Sequence, residues 1–332
     1  MKWYSTTGKD KDVVISSRVR FARNLENYPF PARMNEAAAA EVITKIREAF
    51  GDSYTYIDFS KLTPIETRAY VERHEVSADF AKAKRPHGLL TCDKNQVSVM
   101  LCEEDHMRIQ SIISGLALEE AYAAACEADD LVDSSLSIAF DEKLGYLTQC
   151  PTNLGTGMRA SVMMFLPAMT MFRHIGILSA QLQKLGLTIR GLYGEGSSND
   201  GCIYQISNQI TLGISEEETL GKLSDIISQI VAEERKFRTA LSKNEALRDR
   251  IARAEGTLRY ALRIPSAEFM TLYSDLRLGV ALEVISGIEY EKTDELLVTA
   301  MPANLMIMHE KQNADENERD KLRAEYIRSS LA

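Results

Sequence analysis

The segment CPTNLGTGMRASV, residues 150–162, carries the most informative pattern in this 332-residue chain. Its Gly155-x-Gly157-x-x-Ala160 spacing can form the phosphate-binding turn of a dinucleotide-binding fold. That fold also needs an acidic residue about 20 positions further on, which binds a ribose. The region around Arg173 supplies no carboxylate. The glycines therefore do not predict a nicotinamide cofactor, and the segment has another role.

Composition and charge exclude several classes of protein. Apolar residues make up 45% of the chain and charged residues 26%, which is typical of a soluble globular protein. The net charge of −9 argues against general binding to nucleic acid or to an anionic membrane. The most apolar run, residues 162–172, is too short to span a bilayer and contains Pro167. Five cysteines without a C-x-x-C pair indicate free thiols and no structural zinc, so we expect a cytoplasmic protein.

The pattern of secondary structure divides the chain in two. Asn35 is placed to cap a helix over residues 36–50, and strands are predicted at residues 96–101 and 203–206. Ser215-x-x-Glu218 is a capping box that predicts a helix running to about residue 241.

The last third of the chain has almost exclusively helical spacing. The helices are predicted over residues 244–262, 266–285, 293–309 and 314–331. We therefore predict a mixed domain over residues 1–243 and an all-helical domain over residues 244–332.

Four short segments contain the residue types that bind and transfer phosphate, and all four include arginine. They are ISSRVR (15–20), CEEDHMR (102–108), CPTNLGTGMR (150–159) and RGLYGEG (190–196). Arg18 and Arg20 are two positions apart, so on a strand they project from one face. Taken singly, an arginine pair is most often a solvated strand face, and an acidic run is most often an exposed turn.

Taken together and in this order, the four segments resemble the catalytic domain of the phosphagen (guanidino) kinases. CPTNLGT is the signature of that family, and the resemblance runs from about residue 12 to residue 241. It implies an α+β fold, an antiparallel sheet flanked by helices, followed here by the all-helical C-terminal domain.

Within that family, the chain is most similar to the bacterial protein-arginine kinases. The S-x-R-V-R motif lies near residue 16, without the small helical domain that precedes it in the metabolite kinases. The segment from Arg190 to Gly196 resembles the R-G-x-Y-G-E form of this branch. Arg319-Asp320-Lys321-Leu322-Arg323-Ala324 matches the R-D-x-x-R-A motif that binds phosphoarginine. Residues 301–306, MPANLM, depart from the usual Q-P-A-H-L-Q.

A guanidinium group is a poor nucleophile at neutral pH because its pKa exceeds about 12 and its lone pairs are delocalised. Two carboxylates can hold the planar group, aim one nitrogen at the γ-phosphorus and accept a proton. By resemblance, Glu104 and Glu195 are those carboxylates, with Glu104 as the base. Cys150 matches the family's reactive cysteine, whose thiolate stabilises the charge of the guanidinium.

The resemblance also implies bound ATP, with Mg²⁺ held through the nucleotide phosphates and not by a protein metal site. Phosphoryl transfer depends mainly on positioning and on neutralising the phosphate charge, which arginines do well. The implied ATP-binding residues are Ser16, Ser17, Arg18, Val19, Arg20, His74, Arg108, Arg159, Ala160, Ser161, Val162, Met163, Arg190, Gly191, Leu192, Tyr193 and Gly194.

The C-terminal motif implies a phosphoarginine site at Arg319, Asp320, Arg323 and Ala324. Charge spacing alone favours a solvated, salt-bridged helix. The family context favours the binding site, since Arg319 and Arg323 lie one turn apart and can make fork-like contacts with a phosphoryl group.

Three functions fit these residues: a protein-arginine kinase, a free-guanidine metabolite kinase and a non-catalytic phosphoarginine reader. The first is preferred, because both glutamates and all five arginines are present and the small N-terminal domain is not. The resemblance further implies a homodimer that marks arginine-containing proteins for degradation. Its implied partners are a zinc-containing activator, a heat-shock repressor and the Clp protease.

Overall fold

An eight-stranded antiparallel sheet organises the first two-thirds of the chain in the computed structural model, which describes residues 2–192 and 200–332. The strands in chain order are β1 (Val14–Arg23), β2 (Thr55–Asp58), β3 (Gly88–Cys92), β4 (Val97–Leu101), β5 (Met107–Ser114), β6 (Phe140–Asp141), β7 (Gly145–Tyr146), β8 (Met158–Phe165), β9 (Leu187–Gly191) and β10 (Ile203–Asn208). Across the sheet the order is β2-β3-β4-β5-β1-β8-β10-β9, and β6 and β7 form a separate hairpin. The predicted α+β class is confirmed.

The helices surround this sheet and continue to the C-terminus. In chain order they are α1 (Glu36–Phe50), α2 (Pro64–Glu72), α3 (Ala78–Ala81), α4 (Leu118–Asp133), α5 (Pro167–Met171), α6 (Ile175–Lys184), α7 (Glu216–Leu241), α8 (Glu245–Tyr260), α9 (Ser266–Ala281), α10 (Tyr290–Thr299), α11 (Pro302–Met308) and α12 (Glu316–Leu331). A 3₁₀ turn at Trp3–Ser5 precedes β1. None of the described helices combines the length and the apolar character that crossing a membrane requires.

Local signals predicted several of these elements correctly. Asn35 caps α1 by accepting a hydrogen bond from the Ala38 N–H at 2.8 Å. Ser215 and Glu218 form the expected capping box at the start of α7. One helix prediction is wrong: residues 293–309 contain parts of two helices, because Pro302 has no N–H and begins a new helix, α11.

One face of the sheet is apolar and packs under α1, α4, α6 and α7. Val19 and Phe21 of β1, Ile109 of β5 and Val162 of β8 are buried in that core. Because side chains alternate along a strand, the residues between them project from the opposite face. The apolar core therefore fixes which face carries Arg18 and its neighbours.

The C-terminal helices share a core with this opposite face. Phe269 and Tyr273 of α9 belong to one buried cluster with Trp3, Ile112 and Met163. A buried ion pair between Arg277 and Asp294 lies at the same junction, and Arg277 donates a hydrogen bond to the Lys11 carbonyl at 2.8 Å. The helical region is therefore packed directly against the sheet.

Candidate active site

Five arginines lie on the face of the sheet opposite the apolar core. Strand register places Arg20 opposite Arg159 and Ala22 opposite Arg108. Arg18, Arg20, Arg159 and Arg190 line a cleft of about 290 Å³. The strand-face prediction for Arg18 and Arg20 is therefore confirmed, and residues from four strands meet there.

Two arginines of the cluster, Arg18 and Arg20, are buried beside other positive charges. Burial, together with repulsion from Arg159 and Arg108, lowers the pKa of Arg18 to about 10. Burial, with repulsion first from Arg18 and then from Arg108 and Arg159, also lowers the pKa of Arg20. The Arg20 Nε is buried without a hydrogen-bond partner among the described residues. Such a site gains free energy when a multivalent anion enters, so it fits the phosphates of a nucleotide.

Arg108, at the edge of the cluster, contacts two glutamates. Its Nη1 lies 2.5 Å from a Glu103 oxygen, and its Nη2 donates to Glu104 at 2.9 Å. Glu103 also accepts a hydrogen bond from the Ser77 hydroxyl at 2.5 Å. Burial raises the pKa of the Glu104 carboxyl, although Arg108 opposes that shift. A carboxylate with a raised pKa beside a phosphate-sized cationic cleft can serve as a general base.

The loop that carries Glu104 is attached to its surroundings by a buried polar network. Asp105 accepts a hydrogen bond from the Asn24 side chain at 2.7 Å and from the Gln149 N–H at 2.8 Å. Asn24 in turn accepts from the His106 N–H at 2.8 Å. The end of β1, the Glu104 loop and the approach to Cys150 therefore form one unit.

Cys150 begins the loop that contains Gly155 and Gly157. Its Sγ lies 3.0 Å from the Thr152 hydroxyl, and the side chain is half-buried. The Thr211 hydroxyl donates to the Thr152 carbonyl at 2.9 Å. Gly155 has φ of 101°, and a Cβ there would lie 2.1 Å from the Thr211 carbonyl oxygen. The glycine is required because a neighbouring backbone passes too close for any side chain.

His74 lies at the edge of the arginine cleft. Its φ of 61° is unusual for a non-glycine residue. Burial, helped by repulsion from Arg18, lowers the pKa of the imidazole to about 3. His74 is therefore neutral at physiological pH, which suits packing against a nucleotide base.

The other predicted nucleotide-binding residues divide between the two faces of the sheet. Ser16, Ser161, Met163 and Leu192 lie on the cleft side. The opposite side holds the Ser17 hydroxyl, which donates to the Gly115 carbonyl at 2.8 Å, and three apolar residues, Val19, Ala160 and Val162. Gly191 ends β9. Tyr193, Gly194 and the second predicted catalytic carboxylate, Glu195, lie outside the described residues.

Three polar cleft residues were not predicted from the sequence. Gln110 lies between His74 and Arg20, while Gln205 and Ser207 project from β10. Ser207 accepts a hydrogen bond from Arg159 at 3.0 Å, and Gln205 donates to Ser161 at 2.8 Å. The period-two alternation of these strands would have placed all three on the arginine face.

The C-terminal motif has two different arginines. Arg323 is 1% exposed, whereas Arg319 is half-buried. The Arg323 guanidinium donates to four oxygen atoms, at 2.7–2.9 Å: the carbonyls of Ala300 and Ile264, the Ser266 hydroxyl and the Asp320 carboxylate. Ala324 is fully buried beside it. Because Arg323 already donates to four protein oxygens, the fork-like contact predicted for both arginines is accessible only to Arg319. Phosphoarginine binding here stays a prediction.

Comparison with known proteins identifies the family. The profile of the ATP:guanido phosphotransferase C-terminal catalytic domain matches residues 36–237, and that of the protein-arginine kinase McsB C-terminal domain matches residues 244–332. A protein-arginine kinase of Caldanaerobacter subterraneus is 43% identical over 97% of this chain and 98% of its own length. One of Halothermothrix orenii is 40% identical over 99% and 96%.

Solved structures support the same fold. The duplicated taurocyamine kinase of Schistosoma mansoni, with bound components of a transition-state analogue, superposes with a TM-score of 0.62 at 28% identity, covering 70% of this chain and 34% of that one. Lombricine kinase gives a TM-score of 0.59 at 25% identity, covering 72% and 70%.

Proposed function

Because the chain belongs to the ATP:guanido phosphotransferase family, we propose that it is a protein-arginine kinase, which transfers the γ-phosphoryl group of ATP to arginine side chains of proteins. One observation carries the proposal: a buried, mutually repelling arginine cluster adjoins a carboxylate whose pKa is raised. The first feature suits a triphosphate, and the second suits proton removal from a guanidinium. The full-length similarity to proteins of that activity supports it further.

In this proposal Arg18, Arg20, Arg108, Arg159 and Arg190 bind the phosphates of ATP, and His74 packs against the base. Among the described residues, no group of three His, Cys, Asp or Glu side chains is placed to hold a metal ion. By the family resemblance, Mg²⁺ would bind through phosphate oxygens, where it supplies additional charge neutralisation. Arginine is the better protein ligand here because its planar donors match phosphate oxygens in pairs.

The proposed chemistry requires a guanidinium group held in plane and deprotonated. Glu104 would accept the proton as the nitrogen attacks the γ-phosphorus and the bond to the β,γ-bridging oxygen breaks. Glu195 would hold the second edge of the guanidinium. The Cys150 thiolate would stabilise its charge without becoming phosphorylated. The Asp105 network supports this arrangement, since it ties the loops of Glu104 and Cys150 together.

The deciding experiment supplies MgATP with a loosely folded arginine-containing protein and, separately, with free arginine. Acid-labile phosphate on the protein supports the proposed activity. Phosphorylation of free arginine alone would instead indicate a metabolite kinase, and phosphoarginine binding without turnover would indicate a reader. A chain with Glu104→Gln serves as the inactive control.

We extend the proposal to the rest of the chain and to its partners. The division into residues 1–243 and 244–332 is supported by the two family profiles, which end at residue 237 and begin at residue 244. Homodimerisation, marking of substrates for the Clp protease, and association with a zinc-containing activator and a heat-shock repressor follow from the family resemblance. Co-purification from cytoplasm with and without MgATP tests these associations.

A further inference from the structure

Residues 72–75, hereafter the His74 segment, connect α2 to the rim of the arginine cleft. Their backbone is held by side chains from the sheet side. Trp3 Nε1 donates to the Arg73 carbonyl at 3.1 Å. Gln110 Nε2 donates to the carbonyls of His74 at 3.1 Å and Glu75 at 3.2 Å. Three successive carbonyls are therefore anchored while His74 keeps its positive φ.

The side chains of the same segment reach the other way, into the C-terminal helices. Glu72 is 2% exposed, and its carboxylate accepts from the backbone N–H groups of Ala303 at 3.0 Å and Asn304 at 3.0 Å. Arg73 Nη1 donates to Asn304 Oδ1 at 3.1 Å, and Asn304 Nδ2 donates to Glu72 at 3.3 Å. These N–H groups belong to the first turn of α11, where no intrahelical partner exists.

The contact is closed and specific. Glu72 and Arg73, at the end of α2, contact two consecutive residues in the first turn of α11. The side chains of Arg73 and Asn304 both form hydrogen bonds across this contact. Asn304 also donates to the Val298 carbonyl at 3.1 Å, which fixes its amide orientation relative to α10. The residue after Glu72 and Arg73 is His74, on the cleft. Arg73, which contacts α11, is joined to His74 by one peptide bond, so a movement of α11 would displace His74 directly.

We propose that Glu72, Arg73 and Asn304 are positioning residues for the nucleotide site, through which the C-terminal helices hold His74 beside the arginine cleft. This rests on the proposed function in that the ligand of the cleft is taken to be ATP. A non-glycine residue keeps a positive φ only where its surroundings overdetermine it. Loss of the α11 contact lets the segment relax, and nucleotide binding must then restore its order.

The expected kinetic signature separates positioning from chemistry. The carboxylate of Glu104 and the Cys150 loop are held by other contacts, those of Arg108 and Asp105. Asn304→Ala should therefore raise KM for ATP by about 5- to 20-fold while kcat stays within about twofold, which is the pattern of lost binding in ground and transition states alike. Glu72→Gln, which keeps an acceptor oxygen for α11, should retain most of the affinity, whereas Glu72→Ala should not.

The test uses the full chain and two independent readouts. Steady-state kinetics give kcat and KM, and the fluorescence of Trp3, the only tryptophan, reports MgADP binding at the segment itself. Asn244→Ala is the control: it also removes an asparagine side chain that forms a hydrogen bond at the start of a C-terminal helix, here the 3.0 Å bond from the Leu247 N–H in α8, and it should leave nucleotide affinity unchanged. Melting temperatures identify any variant that fails to fold. If Glu72→Ala does not fold, the Asn304→Ala variant still tests the inference, because Asn304 is only half-buried.

Unchanged nucleotide affinity in folded Asn304→Ala, or an equal loss in Asn244→Ala, would overturn the inference. A wild-type chain that binds MgADP but phosphorylates no protein would instead contradict the proposed function and leave the positioning role measurable by fluorescence.

Discussion

The backbone N–H of Gln149 donates to the buried carboxylate of Asp105 at 2.8 Å. Through this bond the loop of Glu104 and the loop of Cys150 keep a fixed separation, although they are distant in sequence. The same oxygen of Asp105 accepts from Asn24. The relative placement of Glu104, the proposed base, and Cys150 thus depends on Asp105, which is fully buried.

Asp105→Ala removes that bond and should lower kcat while leaving ATP affinity nearly intact. We expect a loss on the order of 10²-fold, because small misplacement of reacting groups costs about that much. The arginine cleft is built by strand register and should still bind nucleotide. Steady-state kinetics check this, with Asp141→Ala as a control, since Asp141 accepts backbone bonds only in an exposed turn. A rise in KM for ATP without a fall in kcat would contradict the assignment.

Glu104→Gln should lower phosphorylation by at least about 10²-fold with modest change in ATP affinity. A base acts only when deprotonated, so wild-type kcat should fall as the pH drops through the pKa of Glu104. Burial raises that pKa, so the fall should begin above the ordinary glutamate value of about 4.3. The pH profile of kcat checks this. Near-normal turnover by Glu104→Gln, with Glu142→Gln as the surface control, would remove Glu104 from the role.

Arg20→Met should affect stability and binding in opposite directions. Burial and neighbouring arginines lower the pKa of Arg20, so its charged form is disfavoured in the folded state and destabilises the nucleotide-free protein. Removing the charge should raise Tm without nucleotide and abolish most of the further rise with MgATP. Differential scanning calorimetry with and without MgATP measures both. A lower Tm combined with an unchanged MgATP shift would contradict an anion site.

Cys150 should be the first cysteine alkylated. Burial raises the pKa of the thiols of Cys102, to about 12, and of Cys126 and Cys202, which suppresses their thiolates. Cys150 lies half-buried on the loop that the Gln149–Asp105 hydrogen bond connects to the loop of Glu104. Peptide mapping after brief iodoacetamide treatment checks the order, and MgADP should slow the reaction at Cys150. First modification at any of the other four cysteines would count against the assignment.

The two arginines of the C-terminal motif should separate binding from stability. Arg323→Ala leaves buried carbonyls and the Asp320 carboxylate without their donor, so it should cost about 3–5 kcal/mol of unfolding free energy. Arg319→Ala should change stability by less than about 1 kcal/mol and still abolish binding of a phosphoarginine peptide. Urea denaturation and calorimetric titration measure the two effects. Peptide binding that survives Arg319→Ala would contradict a phosphoarginine site at this motif.

Local sequence determined the elements whose signals lie within a few residues of one another. The caps at Asn35 and Ser215, the alternation in β4 and β10, and the shared face of Arg18 and Arg20 all follow from backbone geometry that repeats every two to four residues. The motifs and their order predicted the family by resemblance to its known members, and the two family profiles confirm that prediction. Pro302 also indicated a helix break, but the helical periodicity on either side of it led to the prediction of one continuous helix.

Tertiary structure decided which residues meet across long separations. Glu72 binds the first turn of α11 across 231 positions, Gln110 and Gln205 enter the cleft through strand pairing, and Arg323 is buried instead of solvated. No local pattern distinguishes a buried arginine with four acceptors from a surface one, since both occupy a polar helix. The difference arises from packing. The partners come within hydrogen-bonding distance only when α11 packs against α2 and α12 packs against the segments that carry Ala300, Ile264 and Ser266, and burial then makes each pairing obligatory.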